Sequence, residues 1–397
     1  MSEPQGRGAA WTEELGTSDE GRRDSEGGMG RRAGPRRRAA STARFTVDPW
    51  DPGYGMAVGD EFDGGALAAS TAELGLDLER PADRWRPLDP DLAPPLPRTV
   101  LFLDGVRRID ARIWLHGNGS QPAPGLAASL AAGLVSCDGT AGGSGGSPSR
   151  AGTAGGSGES PPRAGTAGGS GGSPPRAGTA RVAEVTVERG LFTAAPDAAD
   201  IAGRHARYPV RMAQGTGPDQ LSLALQQRLG AAEVQLALAF RARYPDADDL
   251  LVVDGPLRGR THLGRTVGYI KTHHASYLPP EQAAVVGALS PGQRTPVFTM
   301  GTSWRRHSWY LRLPGAPGVP WSGVVRLECS PDLPPASATR LADLTARLLP
   351  PLASTPHKDP RAPQNLVPIG GLERELRRRL GDQQLLYRAL RSAASAG

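Results

Sequence analysis

Val100-Leu101-Phe102-Leu103-Asp104-Gly105 and Leu250-Leu251-Val252-Val253-Asp254-Gly255 are two near-identical stretches, each an apolar run that ends in Asp-Gly. An unbroken apolar run of this length reads as a strand buried on both faces. A carboxylate at the C-terminal tip of such a strand sits where an α/β sheet presents its chemistry. For one instance, turn formation after a strand accounts equally well for Asp-Gly. Two instances with matching runs favour a pair of carboxylates brought side by side to hold divalent metal.

The segments around these strands extend the pattern. Arg107 to Leu115 alternates Ile109, Ala111, Ile113 and Leu115 with polar neighbours, which predicts an antiparallel hairpin partner after a tight connection at Gly105. Val182 to Glu188 is a further alternating strand. A long helix is expected from about Asp219 to Arg243, with Leu221, Leu225, Leu229, Leu236 and Phe240 recurring at three- and four-residue steps. Glu233 interrupts that stripe at the flank of its buried face, where a carboxylate needs a cation, a donor or a metal. Pairing with Arg228 or Arg241 is the structural alternative to ligation. Later strands are expected at 267–271, 295–300, 309–313 and 324–329, with helices after Pro280, near 339–349 and, strongly basic, over 372–390. The order is that of an α/β domain with an antiparallel edge.

Much of the 397-residue chain lacks the means to fold. Residues 1–42 carry arginine clusters among Gly, Ser and Glu, the composition of a disordered basic tail. A Gly/Ser-rich sequence of period thirteen starts at Thr140 and recurs from Thr153 and Thr166, so residues 119–180 are read as a low-complexity flexible insert. The insert interrupts a domain over 43–397, whose first part, rich in Pro, Asp and Trp, is expected to drape over it with Trp50, Tyr54 and Trp85 as anchors. Roughly 290 to 300 foldable residues remain, enough for one large domain.

The formal charge of +6 and a pI near 9.7 suit a polyanionic partner. No apolar run of about eighteen residues and no secretory signal pattern occur. Cys137 and Cys329 are far apart in sequence. A reduced, cytoplasmic protein is the simplest expectation. No Gly-x-Ser-x-Gly elbow and no Walker A sequence occur, which disfavours a serine hydrolase and an intrinsic motor.

Two polar clusters remain. Tyr269-Ile270-Lys271-Thr272-His273-His274-Ala275-Ser276-Tyr277 offers Lys271 to neutralise a phosphate and Tyr277 to orient it, against the plainer reading of a polar strand end. Adjacent histidines on a strand point to opposite faces, so His273 and His274 cannot both serve one site. Trp304-Arg305-Arg306-His307 interleaves aromatics with cations, as a single-stranded nucleic-acid channel does; a core Trp beside solvated Arg is the alternative.

Asp104-Gly105, Glu233, Asp254-Gly255-Pro256-Leu257 and Gly268-Tyr269-Ile270-Lys271 together resemble the NurA nuclease family, over most of residues 98–390. The resemblance implies a ribonuclease H-like mixed sheet flanked by helices, with carboxylates on the first strand, first helix and fourth strand. It implies a metal-dependent DNA nuclease using two Mn²⁺ or Mg²⁺ ions, held by Asp104, Glu233 and Asp254 with Glu373 or His357 completing the set and Asp359 competing for that role. Oxygen ligation suits these ions. Two-metal hydrolysis places them ~4 Å apart. The implied partners are DNA, a HerA-like hexameric ATPase and a second copy in a homodimer, in DNA end processing. The chain departs from the family in having Val106 and Pro256 after the Asp-Gly pairs, and in lacking the Tyr-Pro segment before the last ligand. These departures leave open a catalytically inactive member that binds nucleic acid or protein.

Overall fold

The structure, a computed structural model, describes residues 72–116, 122–138, 180–202, 205–245, 247–273, 276–315 and 321–396. The tail over 1–42, Trp50, Tyr54, His274 and most of the Gly/Ser repeat lie outside the described residues.

A ten-stranded mixed sheet forms the centre of an α/β fold. Its strands are β1 (Glu73–Gly75), β2 (Thr99–Leu115), β3 (Ala123–Asp138), β4 (Ala180–Thr193), β7 (Val210–Met212), β8 (Asp249–Asp254), β9 (Thr266–Ile270), β10 (Phe298–Gly301), β11 (Arg305–Arg312) and β12 (Val324–Cys329), and a separate small hairpin pairs β5 (Ile201–Ala202) with β6 (Arg207–Tyr208). Across the sheet the order is β1-β10-β11-β12-β9-β8-β2-β3-β4-β7. Strands β2, β8 and β9 run parallel to one another, while β3 and β4 form an antiparallel extension on one side and β10 to β12 on the other.

Helices cover both faces, as a sheet buried on both sides requires. The helix α1 (Pro218–Arg243) packs Leu221, Leu225, Ala232, Leu236 and Ala237 against Leu101, Leu103, Leu251 and Val253. The opposite face, with Val100, Phe102, Val252, Val267, Tyr269 and Trp309, is covered by α3 (Pro335–Leu348) and α4 (Val367–Arg379). A smaller core joins α2 (Pro280–Ala288) to β10 and β11, and Trp85 is buried there against Phe298, as the sequence suggested for that anchor. No helix among the described residues is long and apolar enough to cross a membrane.

Three sequence expectations need correction. Arg107 to Leu115 is not a hairpin partner of the preceding strand. It continues the same strand, because Gly105 stays in the ladder opposite Ala132 and the alternation carries on through it. Asp104 therefore lies within a strand and not at its tip. The second Asp-Gly does turn: Gly255 has φ of 101°, a conformation that suits glycine.

The low-complexity insert expected over 119–180 includes a strand. Ala123–Asp138 is strand β3, hydrogen-bonded to β2 and β4 along its length. Its Ala and Gly residues are not linker composition here; they let helices approach closely. A Cβ on Gly133 would come within 2.8 Å of Leu372 and 2.9 Å of Leu376. Finally, the basic helix expected over 372–390 is two helices, α4 and α5 (Gln383–Ala396). Gly381 breaks it with φ of 82°, and the Asp382 side chain accepts the Leu385 N–H at 2.7 Å to start the next helix.

Candidate metal and catalytic site

Parallel pairing of β2 with β8 ends at Leu103 and Val253, so Asp104 and Asp254 are the next residues on neighbouring strands. Side chains alternate along a strand, which places both on the face carrying Val100, Phe102, Leu250 and Val252, beneath α4. Asp104 is buried. Its Oδ1 accepts the N–H of Gly105 at 2.7 Å. Burial, and next the charge of Asp254, raise the Asp104 carboxyl well above the usual carboxylate range, while Lys271 opposes the rise.

Lys271 follows β9 and donates to Asp254 Oδ2 at 2.8 Å and to Asn365 Oδ1 at 3.1 Å. The sequence proposed Lys271 as a phosphate neutraliser; here it lies beside the carboxylate pair. Glu233 arrives from the α1 face. It is buried and abuts Gly105, where any Cβ would collide with its carboxylate and with Leu229. Glycine at 105 is thus a site of close helix approach. Burial pushes the Glu233 carboxyl up to about 7, with Arg260 opposing and Asp254 adding to the rise.

The cation that Glu233 requires is Arg260, on the loop after β8, and neither helix arginine offered by the sequence. Arg228 binds Glu188 and Arg241 binds Asp249. The loop itself is pinned by the Leu257 N–H, which donates to the buried Glu328 at 2.7 Å. Three carboxylates, Asp104, Glu233 and Asp254, therefore face two cations, Lys271 and Arg260. An Asp104 carboxyl held against its own ionisation by burial and by neighbouring Asp254 would be relieved by one added cation between the two. Among the described residues no group of three or more His, Cys, Asp and Glu side chains is gathered to hold a metal ion. A hard cation here would take two carboxylates and complete its shell with water and substrate oxygens, a mode of binding usual for Mg²⁺.

The other candidate ligands lie in separate pairings. Glu373 binds Arg361 at 2.5 Å and Arg377 at 2.8 Å, and these arginines hold its carboxyl below the ordinary value although burial works the other way. His357 is exposed, near Thr355. Asp359 accepts from Asn365 at 2.6 Å and from Arg361, so it touches the site only through Asn365.

Tyr277 lies away from the carboxylates, its ring beneath the Arg326 guanidinium at 5.2 Å. Of the aromatic and basic stretch, Arg305 alone is exposed. Arg306 is buried within 3.2 Å of Glu328 and stacks on the half-buried Trp304 at 4.6 Å. His307 is buried against the Leu333 carbonyl. Position along the strand explains the split: β11 is buried along its length after its first residue, Arg305, so Arg306 and His307 both lie inside, where Glu328 and the Leu333 carbonyl receive them.

Arg260, Glu328 and Asn365 are the residues that the sequence reading missed. The Arg258-Gly259-Arg260 run directly after Asp254-Gly255-Pro256-Leu257 was the available signal for the first. For the other two only the three-dimensional pairing reveals a role. No family model matches the chain, and no curated protein matches it.

Proposed function

We propose that this protein is a divalent-metal-dependent DNA nuclease of NurA type, built on a ribonuclease H-like architecture. The observation that carries this reading is the pair of buried Asp104 and half-buried Asp254, side by side on parallel strands with Lys271 at their edge. The order of elements supports it: Asp104 lies on the first long strand, Glu233 on the first helix and Asp254 on the next long strand after β2, β3 and β4. Asp104 and Asp254 would hold Mn²⁺ or Mg²⁺, which when bound supplies positive charge to the scissile phosphate and an activated water. Lys271 offsets phosphate charge from the same side, and Glu233, steered by Arg260, sets the electrostatic potential behind Asp104. Exposed Arg305 and half-buried Trp304 are the remaining candidate contacts for a nucleic-acid strand. Work with a HerA-like hexameric ATPase, as a homodimer in DNA end processing, belongs to the same reading through its resemblance.

A second reading is a binding module that has lost turnover. The pairing of Asp254 with Lys271 and of Glu233 with Arg260 favours it, since both cations already neutralise carboxylates that a second ion would otherwise bind. Cleavage of plasmid and oligonucleotide DNA in Mn²⁺, in Mg²⁺ and in chelator separates the two. The nuclease cuts only with metal, whereas the module binds DNA in chelator and never cuts.

A further inference from the structure

Lys271 and Lys358 are the two lysines among 46 Lys and Arg residues. Lys358 is exposed, whereas Lys271 is buried next to Asp254. A compact ammonium at position 271 of so arginine-rich a chain points to a requirement for a point charge rather than a planar fork. An ammonium on a four-carbon stem has wide rotational freedom, so its place must be set by acceptors around it.

Asp254 and Asn365 are two such acceptors. Asn365 is fully buried on the approach to α4, its backbone tied by its own N–H to Arg361 O at 3.0 Å and by the Ser354 N–H to its carbonyl at 2.9 Å. A side-chain amide can present either end to a neighbour, and Asp359 decides which. An ionised carboxylate only accepts, so the amide nitrogen must face Asp359 and the amide oxygen must face Lys271. Asp359 is itself fixed by the backbone N–H and guanidinium of Arg361. Burial works against its charge, but the donors of Arg361 and Asn365 outweigh burial and hold its carboxyl below the ordinary value. Gly370 completes the arrangement: a Cβ there would approach Asn365 Nδ2 to 2.9 Å and Asp359 Oδ2 to 3.1 Å.

We propose that Asn365 and Asp359 are positioning residues for Lys271, Asp359 fixing the Asn365 amide so that its oxygen holds the ammonium against Asp254. The catalytic consequence rests on the nuclease reading, while the positioning itself does not.

The test uses the full chain labelled with ¹⁵N-lysine. With two lysines, a protected Nζ resonance in the folded parent belongs to Lys271, and Lys358 exchanges with water. Asp359→Ala and Asn365→Ser should each broaden or lose that resonance, since the group that orients the amide or the acceptor itself is removed. In the cleavage assay each should lower kcat by about tenfold or more, the scale expected for outer partners of a site, with KM for DNA and the half-saturating Mn²⁺ concentration unchanged. That loss should disappear in a Lys271→Met background, because the two residues act only through Lys271.

A freely exchanging Lys271 in the folded parent overturns the proposal even if neither variant folds. So does a resonance that survives both substitutions, or a kcat loss that persists without Lys271. A parent that never cleaves removes the nuclease reading alone, and the resonance then decides the positioning by itself.

Discussion

Asp104 and Asp254 occupy matching positions on parallel strands, each one residue beyond the last pair that β2 and β8 make. The two carboxylates differ in compensation: Asp254 holds Lys271 at 2.8 Å, and Asp104 has its own-chain amide at Gly105. Their substitutions should therefore behave differently. Both Asp104→Asn and Asp254→Asn should abolish Mn²⁺-dependent cleavage and calorimetric Mn²⁺ binding. In chelator, Asp104→Asn should be as stable as the parent or more so, because it removes a charge that burial and Asp254 disfavour. Asp254→Asn should lose stability, by less than the ~3 to 5 kcal/mol of a broken buried pair, since the amide still accepts from Lys271. Urea unfolding in chelator measures both, and full nuclease activity in either variant would sink the metal site.

Gly105→Ala tests the approach of α1. The added methyl meets the Glu233 carboxylate and Leu229, and a packed helix cannot retreat without cost, so a loss of about 1 to 3 kcal/mol is expected. Trimming the obstacle with Leu229→Ala should make the double variant's loss smaller than the sum of the two single losses. Additive losses would show that Gly105 is not a contact with the helix.

The Glu233 carboxyl links stability to pH. Its folded value of about 7 lies above its ordinary value of 4.5, so the unfolded chain releases this proton first as pH rises. Stability contributed by the protonated group is therefore lost between about pH 4.5 and pH 7. Arg260 opposes the rise, so Arg260→Gln should raise the folded value further and extend the loss to higher pH. The variant's deficit against the parent should be larger at pH 8 than at pH 5. Glu233→Gln should instead remove this fall. Urea midpoints at the two pH values read the sign, and equal deficits would place Glu233 outside the titration.

Sequence periodicity located most elements because strands and helices here bury whole faces. The run from Asp219 to Arg243 emerged as α1, and both apolar runs before an Asp-Gly as adjacent strands. What sequence could not supply was the meaning of glycine. At 255 it makes a turn, at 105 it admits a carboxylate, at 133 it admits two leucines and at 381 it ends a helix. These roles depend on what lies opposite in space. Ion pairing was illegible for the same reason: Glu233 takes a loop arginine distant in sequence, while the nearby helix arginines serve Glu188 and Asp249.

Deletions around the repeat distinguish linker from strand. Cys137 pairs with Ala180 in the β3–β4 ladder, so the chain leaves and re-enters the sheet at adjacent points, and a short connection spans them. Residues 139–179 are largely Gly, Ser, Pro and Ala, a composition with little apolar surface to bury, and halving a connection's length changes its closure term by only ~0.6 kcal/mol. Replacing 139–179 with a short Gly-Ser linker should leave the melting temperature and cleavage near parental values. Removing 119–179 deletes β3, which carries the buried residues Ala128, Leu130, Ala132 and Leu134 and pairs with both β2 and β4. That protein should be insoluble or unfolded by circular dichroism. A folded product from the longer deletion would mean that β4 can take the place of β3 beside β2, and a folding defect from the shorter one would mean that 139–179 buries surface of its own.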